Sequence, residues 1–403
     1  MTCLPPQPWQ DSPGVQRILA ALEADHGQIR VVGGAVRDGL LGRAGADVDF
    51  ATTFPPEAVM TRLQAAGVKA IPTGIEHGTV TAVADHHPYE ITTLRRDVAT
   101  DGRRATIAYT DDWREDAARR DFTINALSAD PLTGTVYDYF DGLADLAAHR
   151  VRFIGDPYTR IAEDHLRILR FFRFHARFGH DSPDPDGLAA CVARARDLMA
   201  LSRERIRDEL LKLLAAEDPV ATVRLMTTGG IFTPVLPEIT VDHLDAFARL
   251  VGIERTLGDV CDLRRLAALL PADADLLDDI ARRLRLSNAE RKRLVAMAER
   301  WPQLPADLAD IRARLYRLGG ETVLDRALLS APDAETVAPL RAEARDWTPP
   351  RLPIGGRDIM ALGVPHGPAV AATLRAVEDR WIAAGFPADR DALLALARDS
   401  VAG

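Results

Sequence analysis

Long apolar runs are missing from this chain. No stretch of its 403 residues approaches a bilayer span, and Met1-Thr2-Cys3-Leu4-Pro5-Pro6 has neither the basic start nor the apolar middle of a secretory signal. Cysteine is scarce as well. Cys3, Cys191 and Cys261 are scattered without CxxC spacing, which argues against a disulfide framework and structural zinc and fits a reducing cytoplasm. Lysine is confined to Lys69, Lys212 and Lys292, so nearly all of the 50 basic residues are arginine. The glycine patterns lack the Gly-Lys-Ser/Thr ending of a P-loop and the three-glycine spacing of a dinucleotide fold.

What remains is an ordinary globular composition, 47 % apolar and 27 % charged, on a chain long enough for two or more domains. A formal charge of −9 on its face discourages a nucleic-acid partner. The average conceals local reversals. Arg150–Arg177 carries seven arginines against three acids, and residues 280–301 carry seven basic residues against two acids. Either stretch could follow a phosphate backbone.

The chemistry concentrates near the start. Ile29-Arg30-Val31-Val32 reads as a buried strand that stops at Gly33-Gly34 and gives way to a helical pattern. A strand, a glycine turn and a helix start make an anion site, and Arg37 can point back at the same anion. Asp47 and Asp49 follow, beside Val48 and Phe50. On a strand both carboxylates project from one face, where a divalent cation such as Mg²⁺ would relieve their repulsion and bridge them to nucleotide phosphates. Read alone, the same residues make a glycine-rich turn and a solvated hairpin.

Further along, residues 13–26 and 55–66 read as helices, and Lys69–Pro72, Gly78–Val83 and Tyr89–Leu94 as strands. The last of these makes Glu90 a candidate third carboxylate or a plain surface acid. Residues 95–113 show no periodicity and read as a loop. Arg119-Arg120-Asp121-Phe122-Thr123-Ile124-Asn125 offers Arg120 and Asn125 to triphosphate and sugar, or is a capped helix start. From Tyr158 onward the period is helical. Residues 163–178 read as one helix with Asp164 and Arg167 adjacent and Arg170, Arg173 and Arg177 continuing an arginine strip. So apolar a helix obliges its arginines to find anionic or carbonyl partners. A carboxylate beside a guanidinium complements the amino group and ring nitrogen of adenine or cytosine and opposes guanine and uracil. An ordinary intrahelical salt bridge is the plain alternative. Ser202 begins a further capped helix.

Taken in order, Gly-Gly-x-Val-Arg-Asp, Asp-x-Asp, Arg-Arg-Asp-Phe-Thr-Ile-Asn-Ala, Asp-Gly-x-x-Asp-Leu, Glu-Asp-x-x-Arg and Ser-x-Glu-Arg-Ile-Arg-x-Glu-Leu resemble the class II CCA-adding enzymes and the related bacterial poly(A) polymerases. The resemblance runs from about Ile29 to Leu214 and continues weakly to the tail, where Ala371 stands at an expected glycine. It implies an α+β chain: a polymerase-beta-like nucleotidyltransferase head (residues 1–147), a helical neck for base recognition (148–214), and a helical body and tail for tRNA binding (215–403). By resemblance, Asp47 and Asp49 hold Mg²⁺, Gly33, Gly34 and Arg37 bind the triphosphate, and Arg120 and Asn125 complete the site. Asp164 and Arg167 read the base, supported by Arg170 and Arg173. The implied activity is addition of CCA to tRNA from CTP and ATP in the cytoplasm. Poly(A) synthesis, A-only or CC-only addition, and a catalytically dead RNA-binding protein are the alternatives. Thr73-Gly74-Ile75-Glu76-His77-Gly78 looks like the CCA-adding branch, and intact Asp47 and Asp49 argue against a dead enzyme.

Overall fold

The computed structural model describes residues 2–43, 47–100, 105–180, 182–305, 307–387 and 389–402. Contacts divide the chain into two units, residues 1–241 and 242–403.

The first unit is built on β1 (Ile29–Val32), β2 (Asp49–Thr52), β3 (Lys69–Gly74), β4 (Thr79–Ala84), β5 (His87–Thr93), β6 (Arg95–Thr100), β7 (Ala105–Tyr109), β8 (Ser128–Ala129) and β9 (Val136–Tyr137). Seven of them form one mixed sheet in the order β3-β4-β5-β2-β1-β8-β9, in which β2 and β5 run parallel. Side chains alternate across a strand, so the register decides which groups meet. Val31 pairs with Phe50, Phe50 with Ile91 and Ile91 with Val80, which gathers four fully buried apolar side chains on one face. Helices α1 (Pro13–Ala21) and, later in the chain, α3 (Pro56–Ala65) pack against this sheet, while α2 (Gly34–Leu40) leaves β1 directly. The opposite face carries Val32, Asp49 and Glu90 in a row across β1, β2 and β5.

Two expectations change here. Strand β2 begins at Asp49, so Asp47 lies before the strand rather than on it. Residues 95–109, read as a loop, form the antiparallel pair β6–β7; residues 101–104 lie outside the described residues. At the described ends of the pair Arg95 and Ala108 are half-buried while Arg96 and Tyr109 are exposed, so those ends bury no apolar face that would print a two-residue period on the sequence.

Helices α4 (Trp113–Ala118), α5 (Gly142–Ala147), α6 (Pro157–Glu163), α7 (Arg167–Phe178), α8 (Pro185–Ala193) and α9 (Arg203–Leu214) complete the part that positions the site. Gly142 lets α5 close on the segment after Phe122, because a Cβ there would sit 2.4 Å from the Thr123 carbonyl oxygen. Phe171 stacks on Phe153 at 5.6 Å, and Phe122 meets Phe153 at 4.9 Å and Phe174 at 5.3 Å. This aromatic core fastens α7 to the segment carrying Arg120 and Asn125. The expected single helix over residues 163–178 is broken. Asp164 takes extended dihedrals, φ −151° and ψ 107°, and its carboxylate accepts the Leu166 N–H at 3.1 Å, so α6 ends at Glu163 and α7 starts at Arg167.

The second unit is helical among its described residues, from Leu244–Leu257 to Arg390–Ala402. Its interior holds Arg264 against Glu254 at 2.7 Å and Asp325 at 3.0 Å, a buried charge set in which each member has an opposite partner. Trp381, Ile359, Val377 and Leu393 form a separate apolar cluster toward the C-terminal end. No helix among the described residues is long and apolar enough to cross a membrane.

Candidate active site

At the end of β1 the backbone of Gly33 takes φ +66° and ψ −119°, which side-chain-bearing residues avoid. A Cβ on Gly33 would lie 2.9 Å from Nη1 of Arg120, and one on Gly34 would lie 3.6 Å from Nη2 of Arg37. Both predicted arginines therefore converge on the glycine turn. Gly33→Ala is expected to lower the melting temperature, since a positive φ costs an alanine about 1–2 kcal/mol or more. Displacing Arg120 by that Cβ should also weaken nucleoside triphosphate binding about tenfold, readable in an equilibrium titration. Unchanged affinity would separate the turn from the anion.

The arginines are held by a continuous set of partners. Arg37 is buried; its Nε donates to Asp38 at 2.8 Å, its Nη1 donates to the Asn125 side-chain oxygen, and its guanidinium lies 4.0 Å from the centre of the Phe178 ring. The Asn125 amide nitrogen donates to Asp121 at 3.0 Å, and Arg170 donates to the other Asp121 oxygen at 2.7 Å. Arg173 donates to Glu209 at 2.6 Å, and Arg177 to Asp38 at 3.2 Å. The arginine strip of α7 thus finds the anionic partners its apolar surroundings require. Arg120 donates to the Asn125 carbonyl at 3.3 Å and pairs with Asp116 at 3.5 Å. Burial by itself would raise the Asp121 carboxyl; the Arg170 charge and hydrogen bonds from Asn125, Arg170 and the Phe122 N–H outweigh it and hold the group below the usual carboxylate range.

Asp121 and Glu209 are the organising acids that sequence reasoning passed over. Each lies inside a motif already noted, but its partner is 49 or 36 residues away, and no local pattern connects them.

Asp49 stands opposite Glu90 in the β2–β5 register and opposite Val32, one residue before the turn. Its carboxyl is raised to about 6, first by burial and then by the Glu90 charge, with Arg120 acting in the opposite direction and Asp47 adding to the rise. Asp49 keeps solvent contact, so water and salt screen the repulsion from Glu90 and Asp47. Asp47, Asp49 and Glu90 are hard oxygen donors whose mutual repulsion a divalent cation would relieve. Among the described residues no group of three or more His, Cys, Asp or Glu side chains is placed to hold a metal ion. Mg²⁺ commonly takes one or two protein carboxylates and completes its shell with phosphate oxygens and water.

Asp164 and Arg167 flank the break between α6 and α7, and no ion pair joins them among the described residues. Asp164 accepts from Arg205 of α9 at 2.8 Å. Arg167 donates to Glu163 and, at 2.8 Å, to the Arg160 carbonyl. The intrahelical salt bridge is thus not formed. Two of the roughly four lone-pair positions on Asp164 are used, and Arg167 retains N–H groups for a further acceptor.

Residues 29–152 match the family described as Poly A polymerase head domain, and residues 182–242 match the probable RNA and SrmB-binding site of polymerase A. CCA tRNA nucleotidyltransferase 1, mitochondrial, of Danio rerio is 34 % identical over 391 residues, spanning 94 % of this chain and 89 % of that protein. The CCA-adding enzyme of Levilactobacillus brevis is 31 % identical, with 95 % and 96 % covered. The crystal structure of the Bacillus stearothermophilus CCA-adding enzyme in complex with CTP superposes with a TM-score of 0.78 at 26 % identity, over 97 % of this chain and 98 % of that one. A polymerase-type head joined to helices, a glycine turn flanked by two arginines and a row of carboxylates, matched along nearly their whole length by such relatives, mean that this chain belongs to the CCA-adding enzyme (CCA tRNA nucleotidyltransferase) family.

Proposed function

We propose that the protein adds C, C and A to the 3′ end of tRNA from CTP and ATP, releasing pyrophosphate at each step. The observation that carries this reading is the convergence at the end of β1: Asp49 opposite Val32, Glu90 opposite Asp49, and Arg120 against Gly33 and within electrostatic reach of Asp49. Gly33, Gly34, Arg37 and Arg120 bind the triphosphate beside the carboxylates. The RNA 3′ oxygen attacks the α-phosphorus in line as the bond to the pyrophosphate oxygen breaks, and Glu90 is the carboxylate available to accept the hydroxyl proton. Mg²⁺, held by Asp47 and Asp49, would supply Lewis-acid activation of the hydroxyl and neutralise charge on the leaving pyrophosphate. The remaining work of the protein is positioning and electrostatics.

Residues 148–214 act in this reading as the neck, where Asp164 and Arg167 present paired acceptors and donors to the base and Arg170 and Arg173 brace the helix behind them. Asn125 holds Arg37 and Asp121 together next to the triphosphate. Residues 215–403 form the body and tail that grip tRNA. Three free cysteines, one of them exposed, suit a cytoplasmic location.

Replacing Arg167 by alanine tests the base-reading role. On a tRNA ending in CC, the preference for ATP over GTP, measured as the ratio of kcat/KM values, is expected to fall about tenfold or more, because one charged hydrogen-bond partner of the correct base is lost. Unchanged nucleotide choice would refute the assignment.

A further inference from the structure

Arg160 sits on α6, four residues before Asp164, and is 9 % exposed. Its Nη2 donates to the backbone carbonyls of Arg119 at 2.6 Å and Arg120 at 2.5 Å, while its Nη1 donates to Oε2 of Glu163 at 2.5 Å. The same Glu163 oxygen accepts from Nη1 of Arg167, which also donates to the Arg160 carbonyl at 2.8 Å and reaches the Arg119 carbonyl at 3.5 Å through Nη2. One guanidinium therefore fixes the backbone that carries Arg120 and, through one shared carboxylate oxygen, the side chain of Arg167. The arrangement uses the geometry of arginine. A planar fork with five N–H groups can serve two carbonyls and a carboxylate together, whereas a lysine ammonium is a single point on a shorter reach.

We propose that Arg160 is a positioning residue that couples base selection to triphosphate placement: it holds the base contact Arg167 and the phosphate contact Arg120 in one rigid relation. The inference rests on the roles proposed above for those two residues. In this role Arg160 acts through Glu163 and the carbonyls of Arg119 and Arg120. Because the two ends of the nucleotide are fixed by one connection, a base that leaves Arg167 misaligned also leaves the triphosphate imperfectly seated. Discrimination then extends from binding to the rate of transfer.

The test is Arg160→Lys in the full-length protein, with two readouts taken on tRNA ending in CC. The first is the ratio of kcat/KM for ATP against GTP; the second is competitive inhibition by inorganic tripolyphosphate, which probes the phosphate site with no base present. Both are expected to weaken about tenfold, with most of the loss for ATP in kcat. A role confined to packing would lower the melting temperature and scale activity equally for all nucleotides, leaving the ATP to GTP ratio unchanged, and that result overturns the proposal. Should Arg160→Lys not fold, Glu163→Gln supplies the second variant, since its side chain is 27 % exposed. It should reduce base discrimination while leaving tripolyphosphate inhibition as in the wild type, and unaltered discrimination would overturn the link. Arg167→Ala is measured alongside. If that variant keeps normal nucleotide choice, the base-reading assignment has failed; if it alters choice and Arg160→Lys does not, the coupling alone has failed.

Discussion

Replacing Asp49 by alanine is expected to reduce nucleotide transfer about a thousandfold or more, equivalent to about 4 kcal/mol of lost transition-state stabilisation at a metal-assisted centre. The fold should survive. Asp49 opens strand β2 with its side chain at the surface, so truncation leaves no cavity, and it removes a carboxylate facing Glu90 and close to Asp47. The sign of the accompanying stability change follows from linkage. The folded protein raises the Asp49 carboxyl from 3.8 to about 6, so the folded state binds more protons than the unfolded state in that window. Without divalent metal, the wild type should lose stability relative to Asp49→Ala as pH rises from about 4 to about 6, and the difference should then level off. Adding Mg²⁺ at neutral pH should raise the wild-type melting temperature and have little effect on the variant. Thermal melts across that range, with and without Mg²⁺, check both statements. Transfer retained in Asp49→Ala, or an equal Mg²⁺ response in the two proteins, would remove Asp49 from the metal site.

Asp121→Ala is expected to have the largest effect on stability. Asp121 is buried, accepts from Arg170, Asn125 and the Phe122 N–H, and joins the segment carrying Arg120 to α7. Removing one member of a buried pair costs about 3–5 kcal/mol; Arg170 remains about one-third exposed, so solvent screening brings the expectation to about 2–3 kcal/mol. Asn125 would lose its acceptor and with it the hold on Arg37, so triphosphate binding should weaken in the same variant. The Asp121 carboxyl is depressed in the folded protein. Its contribution is therefore present above the unfolded carboxylate range and lost as pH falls through the lower folded value. Denaturant melts at pH 7 should show the full difference from wild type, and melts below about pH 4 a shrinking one. A pH-independent difference would show that Asp121 acts by packing rather than by charge.

The contrast between what the chain announces and what it conceals follows the range of the interactions involved. The β1 strand, the two glycines and the start of α2 are local, and β-branched residues ending at a glycine forced to positive φ state them directly. The strand carrying Glu90 is likewise readable, although its pairing with Asp49 depends on a parallel register that no local pattern specifies. The break at Asp164 is hidden for a different reason. The apolar period continues through residues 163–178, while a single aspartate captures a backbone N–H and redirects the chain. Arg37 shows the limit for site residues. It lies beside the turn, but Asp38 and Asn125 each take one of its N–H groups and the Phe178 ring lies against it, and only the fold brings Asn125 to it. The hairpin of β6 and β7 left no trace because neither of its described ends buries an alternating face.

The most direct test uses three transcripts of one tRNA, ending before CCA, after C and after CC. Each is incubated with the purified protein, Mg²⁺ and single or mixed nucleoside triphosphates, and the products are resolved at single-nucleotide length. The account predicts two C additions to the shortest transcript, one to the next, one A to the CC end, and a halt once CCA is complete. Unlimited A addition, A alone onto the CC end with no C incorporation, or no product at all would contradict it.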